Sequence, residues 1–249
     1  MKRFATYPSL NDQPIIVTGG ASGIGASIVE HFVEQGAVVG FLDIDEETGQ
    51  ALAKKTGAQF MPCDLRDIKA LRSAIETFEK EQGPTLALVN NAARDDRHTI
   101  EEVTPEFWDE RMATNLRHQF FAAQAVLPSM RGCRRGSIIN IGSVSWMLSL
   151  GNMPAYLTAK SAIHGLTRGL ARDVGGDKIR VNCVVPGWIM TERQIKLWLT
   201  PEAEADIAKN QCLSEKLCPP DVARMVLWLS ADDSQMVTAQ NFVVDGGWT

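Results

Sequence analysis

A tyrosine and a lysine four residues apart, Tyr156 and Lys160, are the side chains of this sequence best suited to moving a proton. On a helix, residues four apart share a face, so the phenol and the ammonium are neighbours. A nearby positive charge favours the phenolate and is expected to lower the pKa of the tyrosine from about 10 toward the working pH. Such a pair also occurs by chance on ordinary helices, so it needs support from other residues.

That support comes first from Ser143, which follows a predicted strand at 137–141. In a parallel sheet, ligands bind outside the carboxyl ends of the strands. A hydroxyl at this position is therefore expected to meet a substrate beside Tyr156. The chain has only 2 tyrosines, so a Tyr–Lys pair at this spacing is less expected by chance.

A glycine-rich turn lies between the first predicted strand and the first predicted helix. Its sequence TGGASGIG occupies residues 18–25, and Gly19, Gly23 and Gly25 give the spacing GxxxGxG. Glycines let the backbone turn tightly and approach a pyrophosphate, which then lies at the positive end of the helix. Many loops need glycine for other reasons. The position between strand and helix nevertheless favours a dinucleotide-binding turn.

An acidic residue, Asp43, follows the second apolar run of the chain. A carboxylate there can accept hydrogen bonds from both hydroxyls of the adenosine ribose and repels a 2′-phosphate. The next residues are Ile44, Asp45 and two glutamates, so no lysine or arginine is at hand to bind such a phosphate. NAD is therefore predicted in preference to NADP, the alternative being an ordinary exposed aspartate.

These residues need a framework, and short apolar runs that alternate with amphipathic stretches supply it. Strands that are apolar throughout are typical of a parallel sheet covered by helices on both faces. We therefore predict an α/β fold, a doubly wound parallel sheet in one domain over residues 1–249. The predicted strands are 14–18, 37–42, 59–61, 86–89, 137–141, 181–185 and 241–244, and the predicted helices are 24–34, 46–55, 67–81, 105–130, 155–174 and 220–230.

Composition restricts the partners. A net charge of −5 over 249 residues argues against nucleic acid or an anionic membrane as the main partner. There is no signal peptide or apolar run of membrane-spanning length, and the 5 cysteines form no CxxC pair and show no metal-ligand spacing. We therefore expect a cytoplasmic protein with reduced thiols and no metal site.

Taken together, the motifs resemble the short-chain dehydrogenase/reductase family. The matching motifs follow one another in the family's order from about residue 10 to the C-terminus. Together they are specific for the family, although each motif alone is not. Its pieces are TGGASGIG at 18–25, NNAA at 90–93, Asn115, Ser143, YxxxK at 156–160, PGWIMT at 186–191 and VDGGW at 244–248. The resemblance implies a Rossmann-type fold and a homotetramer.

The resemblance also implies roles for individual residues. Tyr156 takes a proton from the substrate hydroxyl while the substrate carbon gives hydride to the nicotinamide, and Ser143 orients that hydroxyl. Lys160 holds the nicotinamide ribose and tunes Tyr156, and Asn115 supports a proton relay through water. The implied cofactor-binding residues are Gly19, Ser22, Gly23, Ile24, Gly25, Asp43, Ile44, Asp64 (at the adenine), Leu65, Asn91, Ala92, Tyr156, Lys160, Pro186, Gly187, Ile189 and Thr191.

One residue departs from the family pattern. The usual NNAG ends in Ala93 here, so a methyl group replaces a hydrogen close to the cofactor or the backbone. Because alanine is the smallest change, cofactor binding is expected to survive, while the local backbone is less free.

Other segments resemble a narrower group, the bacterial aldose 1-dehydrogenases of the D-xylose dehydrogenase type. These segments are DDRH at 95–98, WDER at 108–111, NLRH at 115–118, SVSW at 143–146, RQ at 193–194 and QCL at 211–213. That resemblance implies oxidation of the anomeric hydroxyl of a sugar to a lactone. The residues expected to bind substrate are Ser143, Ser145, Trp146, Asn152, Tyr156, Trp188 and Gln194.

Plainer readings of these residues stay open. Trp146 and Trp188 suit packing or an interface as well as a pocket wall. Gln194 suits a solvated position, and DDRH suits a solvated loop, with an ion-pair network or subunit contact as the second choice. Residues 188–215 are rich in polar and helix-forming types and are predicted to form a mobile lid over the substrate.

Two alternatives to sugar oxidation remain at this point. One is an NAD-dependent dehydrogenase of another secondary alcohol, such as a polyol or a 3-hydroxyacyl substrate. The other is a catalytically silent protein that binds dinucleotide, which the intact Asn115, Ser143, Tyr156 and Lys160 set disfavours.

Overall fold

A computed structural model describes residues 4–249 of the chain. Within this range the predicted strands form one parallel sheet in the order β3-β2-β1-β4-β5-β6-β7. The strands are β1 Pro14–Thr18, β2 Val38–Asp43, β3 Gln59–Pro62, β4 Ala87–Asn90, β5 Gly136–Ile141, β6 Ile179–Pro186 and β7 Asn241–Val244.

Nine α-helices connect or follow these strands within residues 4–249. They are α1 Gly23–Glu34, α2 Glu46–Thr56, α3 Ile68–Gln82, α4 Pro105–Met112, α5 His118–Cys133, α6 Pro154–Val174, α7 Glu192–Trp198, α8 Pro201–Asn210 and α9 Pro219–Ser230. The predicted start of α4 is confirmed, because the Thr104 hydroxyl accepts a hydrogen bond from Phe107 N at 3.2 Å. The range 188–215, predicted as a lid, contains α7 and α8.

Both faces of the sheet are covered, as the continuously apolar strands predicted. In β1, Ile15 and Val17 belong to a core cluster with residues of α1 and α9. The residue between them, Ile16, belongs to a second cluster with residues of α3, α5 and α6. Because successive side chains of a strand point to opposite faces, this alternation places one helical layer on each side. The doubly wound Rossmann-type fold is thereby confirmed.

The predicted helix at 105–130 has the right extent but not a uniform geometry. A π-helical segment, Ala113–Arg117, separates α4 from α5. It contains Asn115, whose side chain is fully buried. Single π turns inside helices occur frequently at functional sites. Hydrophobic spacing predicts the helical run but does not reveal this local change of turn.

The strand order has a consequence for ligand binding. The sheet grows from β1 through β2 to β3 in one direction, and from β4 onward in the other. A crevice therefore opens at the carboxyl ends of β1 and β4, where the order reverses. No helix within residues 4–249 is both long enough and apolar enough to cross a membrane.

Candidate active site

The glycine-rich turn at the end of β1 is packed too tightly for a side chain at Gly19 or Gly25. Gly19 has φ of 64°, and a Cβ there would lie 2.6 Å from Ala92 Cα. At Gly25, in the first turn of α1, a Cβ would lie 1.9 Å from the carbonyl oxygen of Gly19. Ser22 is the N-cap residue of α1 and makes no side-chain cap bond. The turn is thus a close-fitting cradle at a helix N-terminus, which suits a pyrophosphate.

The glycine-rich turn after β1 and the residues that follow β4 are joined by hydrogen bonds. The Asn91 side chain donates to the carbonyl oxygens of Thr18 at 3.1 Å and Gly19 at 2.8 Å. The Thr18 hydroxyl accepts from the backbone N–H groups of Asn91 at 3.0 Å and Ala92 at 3.2 Å. Asn91 and Ala92 therefore fix the shape of the turn, a role that the sequence did not assign to them.

The segment after β6 closes on the same turn. A Cβ at Gly23 would lie 3.1 Å from Thr191 Cγ2, so the predicted nicotinamide-side segment faces the glycine turn. Gly187, directly after Pro186, leaves no room for a side chain, since a Cβ would lie 2.7 Å from Asp245 Cα. Ile189 is buried, and Thr191 caps α7 by accepting from Gln194 N at 3.2 Å.

Asp43 is the last residue of β2 and contacts the glycine turn. Its Oδ2 accepts from the backbone N–H of Ala21 at 2.9 Å, and its Oδ1 accepts from that of Asp45 at 3.1 Å. A carboxylate offers about four acceptor positions, so two remain for further hydroxyl donors. Ile44, which follows it, is an exposed side chain.

Asp64 lies just after β3 and is paired with Arg66. Its Oδ2 lies 2.7 Å from Arg66 Nη2, and this guanidinium holds the pKa of Asp64 below its usual value. Leu65 packs against the core cluster on the α3 face. Both residues stand at the sheet edge where the resemblance puts the adenine.

Ser143 and Tyr156 meet at the carboxyl end of β5. Burial raises the pKa of Tyr156, and the side chain of Ser143 is one of the groups that oppose this rise. The Ser143 hydroxyl also contacts that of Ser145, and it accepts from the Ser145 backbone N–H at 3.2 Å. The Ser143 hydroxyl is therefore oriented by its neighbour Ser145.

Other groups determine the net pKa of Tyr156. Burial raises it most, and the carboxylate of Asp95 raises it further, so the net pKa lies above the ordinary value near 10. The cation that opposes this is Arg97. The expected source of charge, Lys160, has its Nζ 5.7 Å from the tyrosine ring centroid, yet the net pKa is raised and not lowered. This corrects the expectation drawn from the YxxxK spacing.

Lys160 has a backbone partner. Its side chain is 1% exposed, and its Nζ donates to the carbonyl oxygen of Ile141 at 2.8 Å. Burial lowers its pKa to about 8. Asn115 lies apart from this contact: its Oδ1 accepts from Arg94 N at 2.8 Å, and its Nδ2 donates to the Arg111 carbonyl oxygen at 3.0 Å. It thereby ties the π segment to the loop after β4.

The residues expected to bind substrate fall into two groups. Trp146 packs edge-on against His164 and donates its indole N–H to that ring at 3.2 Å. Asn152 is exposed and has φ of 60°. By contrast, the buried indole nitrogen of Trp188 has no hydrogen-bond partner within residues 4–249. Gln194 is bonded to Asp95, with 2.6 Å between Nε2 and Oδ2.

The DDRH run is an ion-pair network and not a solvated loop. Asp95 also accepts from Arg193 at 3.3 Å, and Asp96 pairs with Arg111, with Arg94 at 3.3 Å and with Arg193 at 2.8 Å. The second choice drawn from the sequence is therefore the observed one.

No group of three or more His, Cys, Asp or Glu side chains within residues 4–249 is arranged to hold a metal ion. The candidate site is thus built from a close-fitting glycine turn, a carboxylate at the end of β2, and a hydroxyl pair at the end of β5.

This arrangement agrees with a comparison against known families. The family model described as enoyl-(acyl carrier protein) reductase matches residues 19–249. The chain belongs to the short-chain dehydrogenase/reductase family.

Similar members of the family include two curated sugar dehydrogenases. A probable galactose dehydrogenase of Rhizobium meliloti is 47% identical over 247 residues, which cover 97% of this chain and 96% of the relative. A D-xylose 1-dehydrogenase of Caulobacter vibrioides is 46% identical over 249 residues, covering 98% of each chain. Among solved structures, a 3-oxoacyl-[acyl-carrier protein] reductase from Brucella melitensis has a TM-score of 0.90 at 30% identity, covering 100% of this chain and 98% of that one.

As a short-chain dehydrogenase/reductase, the chain accommodates Ala93 without strain. The backbone at Ala93 does not adopt the left-handed conformation that favours glycine. The side chain is exposed, so the methyl group displaces no core atom.

Two residues near Tyr156 were not predicted from the sequence as site residues. Asp95 and Arg97 both act on the charge of Tyr156. A signal for them was present, since both follow NNAA at the carboxyl end of β4, where the strand-end rule predicts ligand-binding side chains.

Proposed function

We propose that this protein is an NAD-dependent sugar 1-dehydrogenase, which oxidises the anomeric carbon of an aldose to give the aldonolactone. The observation that carries the substrate class is the identity of 47% and 46% to two curated sugar dehydrogenases over nearly the whole chain. The hydroxyls of Ser143 and Tyr156, together with the close-fitting glycine turn, support the chemistry.

In the proposed reaction, Tyr156 acts as the base. Its phenolate oxygen accepts the proton of the anomeric hydroxyl, and the hydroxyl of Ser143 orients that oxygen. The C1–H bond breaks with its electron pair, which leaves C1 doubly bonded to oxygen. Bound NAD supplies the hydride acceptor, and its positive nicotinamide ring favours the phenolate over the phenol.

Lys160 and Asn115 support this step in the proposal. Lys160 holds the nicotinamide ribose from beside Tyr156, and its buried, fixed position favours that task. Asn115 takes part in the relay that returns the proton to solvent, from a π segment that its own side-chain bonds hold in place. The sugar lies between Tyr156 and α7, against Ser145, Asn152, Trp146, Trp188 and Gln194.

NAD is the proposed cofactor because Asp43 contacts the glycine turn with a carboxylate that has acceptor positions to spare. We expect Asp43→Ala to weaken the binding of NAD more than that of NADP, measured as two dissociation constants by fluorescence titration. Asp45→Ala is the matched control: it removes the N-cap of α2 and about 1 kcal/mol of stability but leaves the preference unchanged. An equal loss for both cofactors in Asp43→Ala would count against the ribose role.

We further propose a cytoplasmic homotetramer. Exposed apolar side chains favour assembly, namely Phe120 on α5, which is 39% exposed, and Val243 on β7, which is 40% exposed. Light scattering of the purified protein at micromolar concentration tests it, with four times the chain mass as the expected result.

A substrate panel tests the function. NADH formation is measured across aldoses, polyols and 3-hydroxyacyl compounds, each with NAD and with NADP. We expect turnover of at least one pentose or hexose with NAD. Turnover confined to polyols or 3-hydroxyacyl substrates would establish the alternative secondary-alcohol dehydrogenase, and dinucleotide binding without any turnover would indicate a silent member.

A further inference from the structure

His98 occupies a position that links the loop after β4 to the helix carrying the tyrosine. Its side chain is only 5% exposed. Its Nε2 lies 3.2 Å from the backbone nitrogen of Ala155, the residue directly before Tyr156. Its own backbone N–H donates to the carbonyl oxygen of Asn152 at 2.8 Å. One residue thus contacts both the segment before α6, at Asn152, and the first turn of α6, at Ala155.

The direction of these bonds fixes the state of the ring. The Ala155 N–H can only donate, so Nε2 must be the acceptor, and the ring proton lies on Nδ1. Nδ1 in turn lies 2.9 Å from the carbonyl oxygen of Asp96, to which it donates. Phe107 of α4 packs against the ring, with 4.9 Å between the centroids. Both nitrogens and one edge of the imidazole are therefore held.

The start of α6 needs such a contact. Its N-cap residue, Met153, makes no side-chain cap bond, and Pro154 occupies the first helical position and has no N–H. The connection before it contains two non-glycine residues in the left-handed region, Ser149 at φ 53° and Asn152 at φ 60°. Pro154 favours a helix start here, but the N-cap side chain does not accept from any N–H group of the first turn. The imidazole of His98 supplies the missing cap from outside the helix.

We propose that His98 is a positioning residue for Tyr156: by capping the N-terminus of α6 with Nε2, it sets the position of the phenol relative to Ser143. This inference rests on the proposed role of Tyr156 as base. A small displacement of a reacting group has a large effect on rate, since an error of about 1 Å can reduce turnover on the order of 100-fold.

Three substitutions separate positioning from folding. His98→Leu fills the space but bonds neither partner. His98→Gln can accept from Ala155 N through its amide oxygen, because the Gln amide group reaches the position of Nε2. His98→Asn reaches only the position of Nδ1, so it can donate to Asp96 but not cap α6. The readouts are kcat, KM, the dissociation constant for NAD and the deuterium isotope effect on kcat with substrate deuterated at the oxidised carbon.

We expect His98→Leu to lower kcat by about 10- to 100-fold with NAD binding unchanged, and to raise the isotope effect because hydride transfer becomes slower. His98→Gln should recover most of kcat, and His98→Asn should not. His31→Leu is the matched control, since the Nδ1 of His31 lies 2.7 Å from the Ser27 carbonyl oxygen of the same helix, and α1 covers the opposite face of the sheet from the core cluster of α6. It should lower the melting temperature and keep kcat.

Wild-type kcat in His98→Leu, with only a lower melting temperature, would overturn the proposal. If His98→Leu does not fold, the comparison of the other two decides, and equal kcat values for His98→Gln and His98→Asn would overturn it. The substrate is whichever compound of the panel the wild type oxidises best. Failure of the sugar assignment would therefore appear in the panel, separately from the outcome for His98.

Discussion

At the scale of single residues, Tyr156 has two charged neighbours of opposite effect, Asp95 and Arg97. Asp95 raises the pKa of the phenol and Arg97 lowers it. The active form of the base is the phenolate, so kcat/KM for oxidation should rise with pH as the phenol loses its proton. A negative charge nearby disfavours the phenolate and shifts that rise to higher pH.

Removal of the Asp95 charge should therefore act in a known direction. We expect Asp95→Asn to shift the rising limb of the profile of kcat/KM against pH toward lower pH. Asp173→Asn, an exposed carboxylate on the same helix as Tyr156, is the control and should not shift it. A shift toward higher pH in Asp95→Asn would refute the electrostatic account of this site.

The tyrosine itself has a close control within the chain, because there are only 2 tyrosines. We expect Tyr156→Phe to lower kcat by at least about 100-fold, the usual contribution of a general base, with NAD binding retained. Tyr7→Phe should keep wild-type turnover, since Tyr7 lies near the start of the chain and contacts Gln35. Turnover near the wild-type level in Tyr156→Phe would mean that another group takes the proton.

The sequence predicted Ser143 and Asp43 from strand ends that apolar runs reveal, and Tyr156 from its spacing to Lys160. It did not reveal what surrounds them. Gln194 bonds Asp95 across a separation of 99 residues, and only the folded chain brings the two together. The pKa of Tyr156 likewise depends on burial and on Asp95, neither of which the YxxxK spacing contains.

At the scale of elements, strands and helices were predictable and their irregularities were not. The strands β1 and β7 have the predicted limits, and the limits of β2 shift by one residue, which makes Asp43 part of the strand. The π segment at 113–117 and the cap of α6 by His98 depend on contacts with the loop after β4. Periodicity in one stretch of sequence carries no information on such contacts.

The contacts of α7 can be tested directly. This helix is held to the loop after β4 through Asp95. The Asp95 side chain is 13% exposed, and it accepts from both Arg193 and Gln194. A hydrogen bond to a charged group contributes about 1.5–3 kcal/mol. We expect Gln194→Ala to loosen α7, so that its amide hydrogens exchange about tenfold faster and KM for the sugar rises.

Lys196→Ala is the control for this measurement, because Lys196 is an exposed residue of the same helix. Hydrogen exchange followed by mass spectrometry compares both variants with the wild type. An exchange rate of α7 in Gln194→Ala equal to that of Lys196→Ala would show that the Asp95 contact does not hold the helix.

At the scale of the whole molecule, a buried histidine links stability to pH. His118 is fully buried, its Nε2 lies 3.1 Å from the Ala92 carbonyl oxygen, and burial together with the charge of Lys160 lowers its pKa to about 4. In the unfolded chain its pKa is near 6.5. Between these values the unfolded state binds a proton that the folded state does not, so stability falls as pH falls.

We expect this residue to remove about 3 kcal/mol of stability between pH 6.5 and pH 4. His118→Gln keeps a donor for the Ala92 carbonyl but cannot be protonated, so its free energy of unfolding should depend less on pH in this window. Urea unfolding at a series of pH values measures both proteins. Equal slopes for the two would show that His118 does not titrate on unfolding.

The central claim concerns which carbon of which kind of molecule loses hydride. An aldose carrying deuterium at C1 is incubated with NAD and the purified protein, and the reduced cofactor is analysed by mass spectrometry. The account predicts one deuterium in the reduced cofactor and an aldonolactone that has lost it. Reduced cofactor without deuterium, formed while the sugar is oxidised, would place the reaction at another carbon and contradict the account.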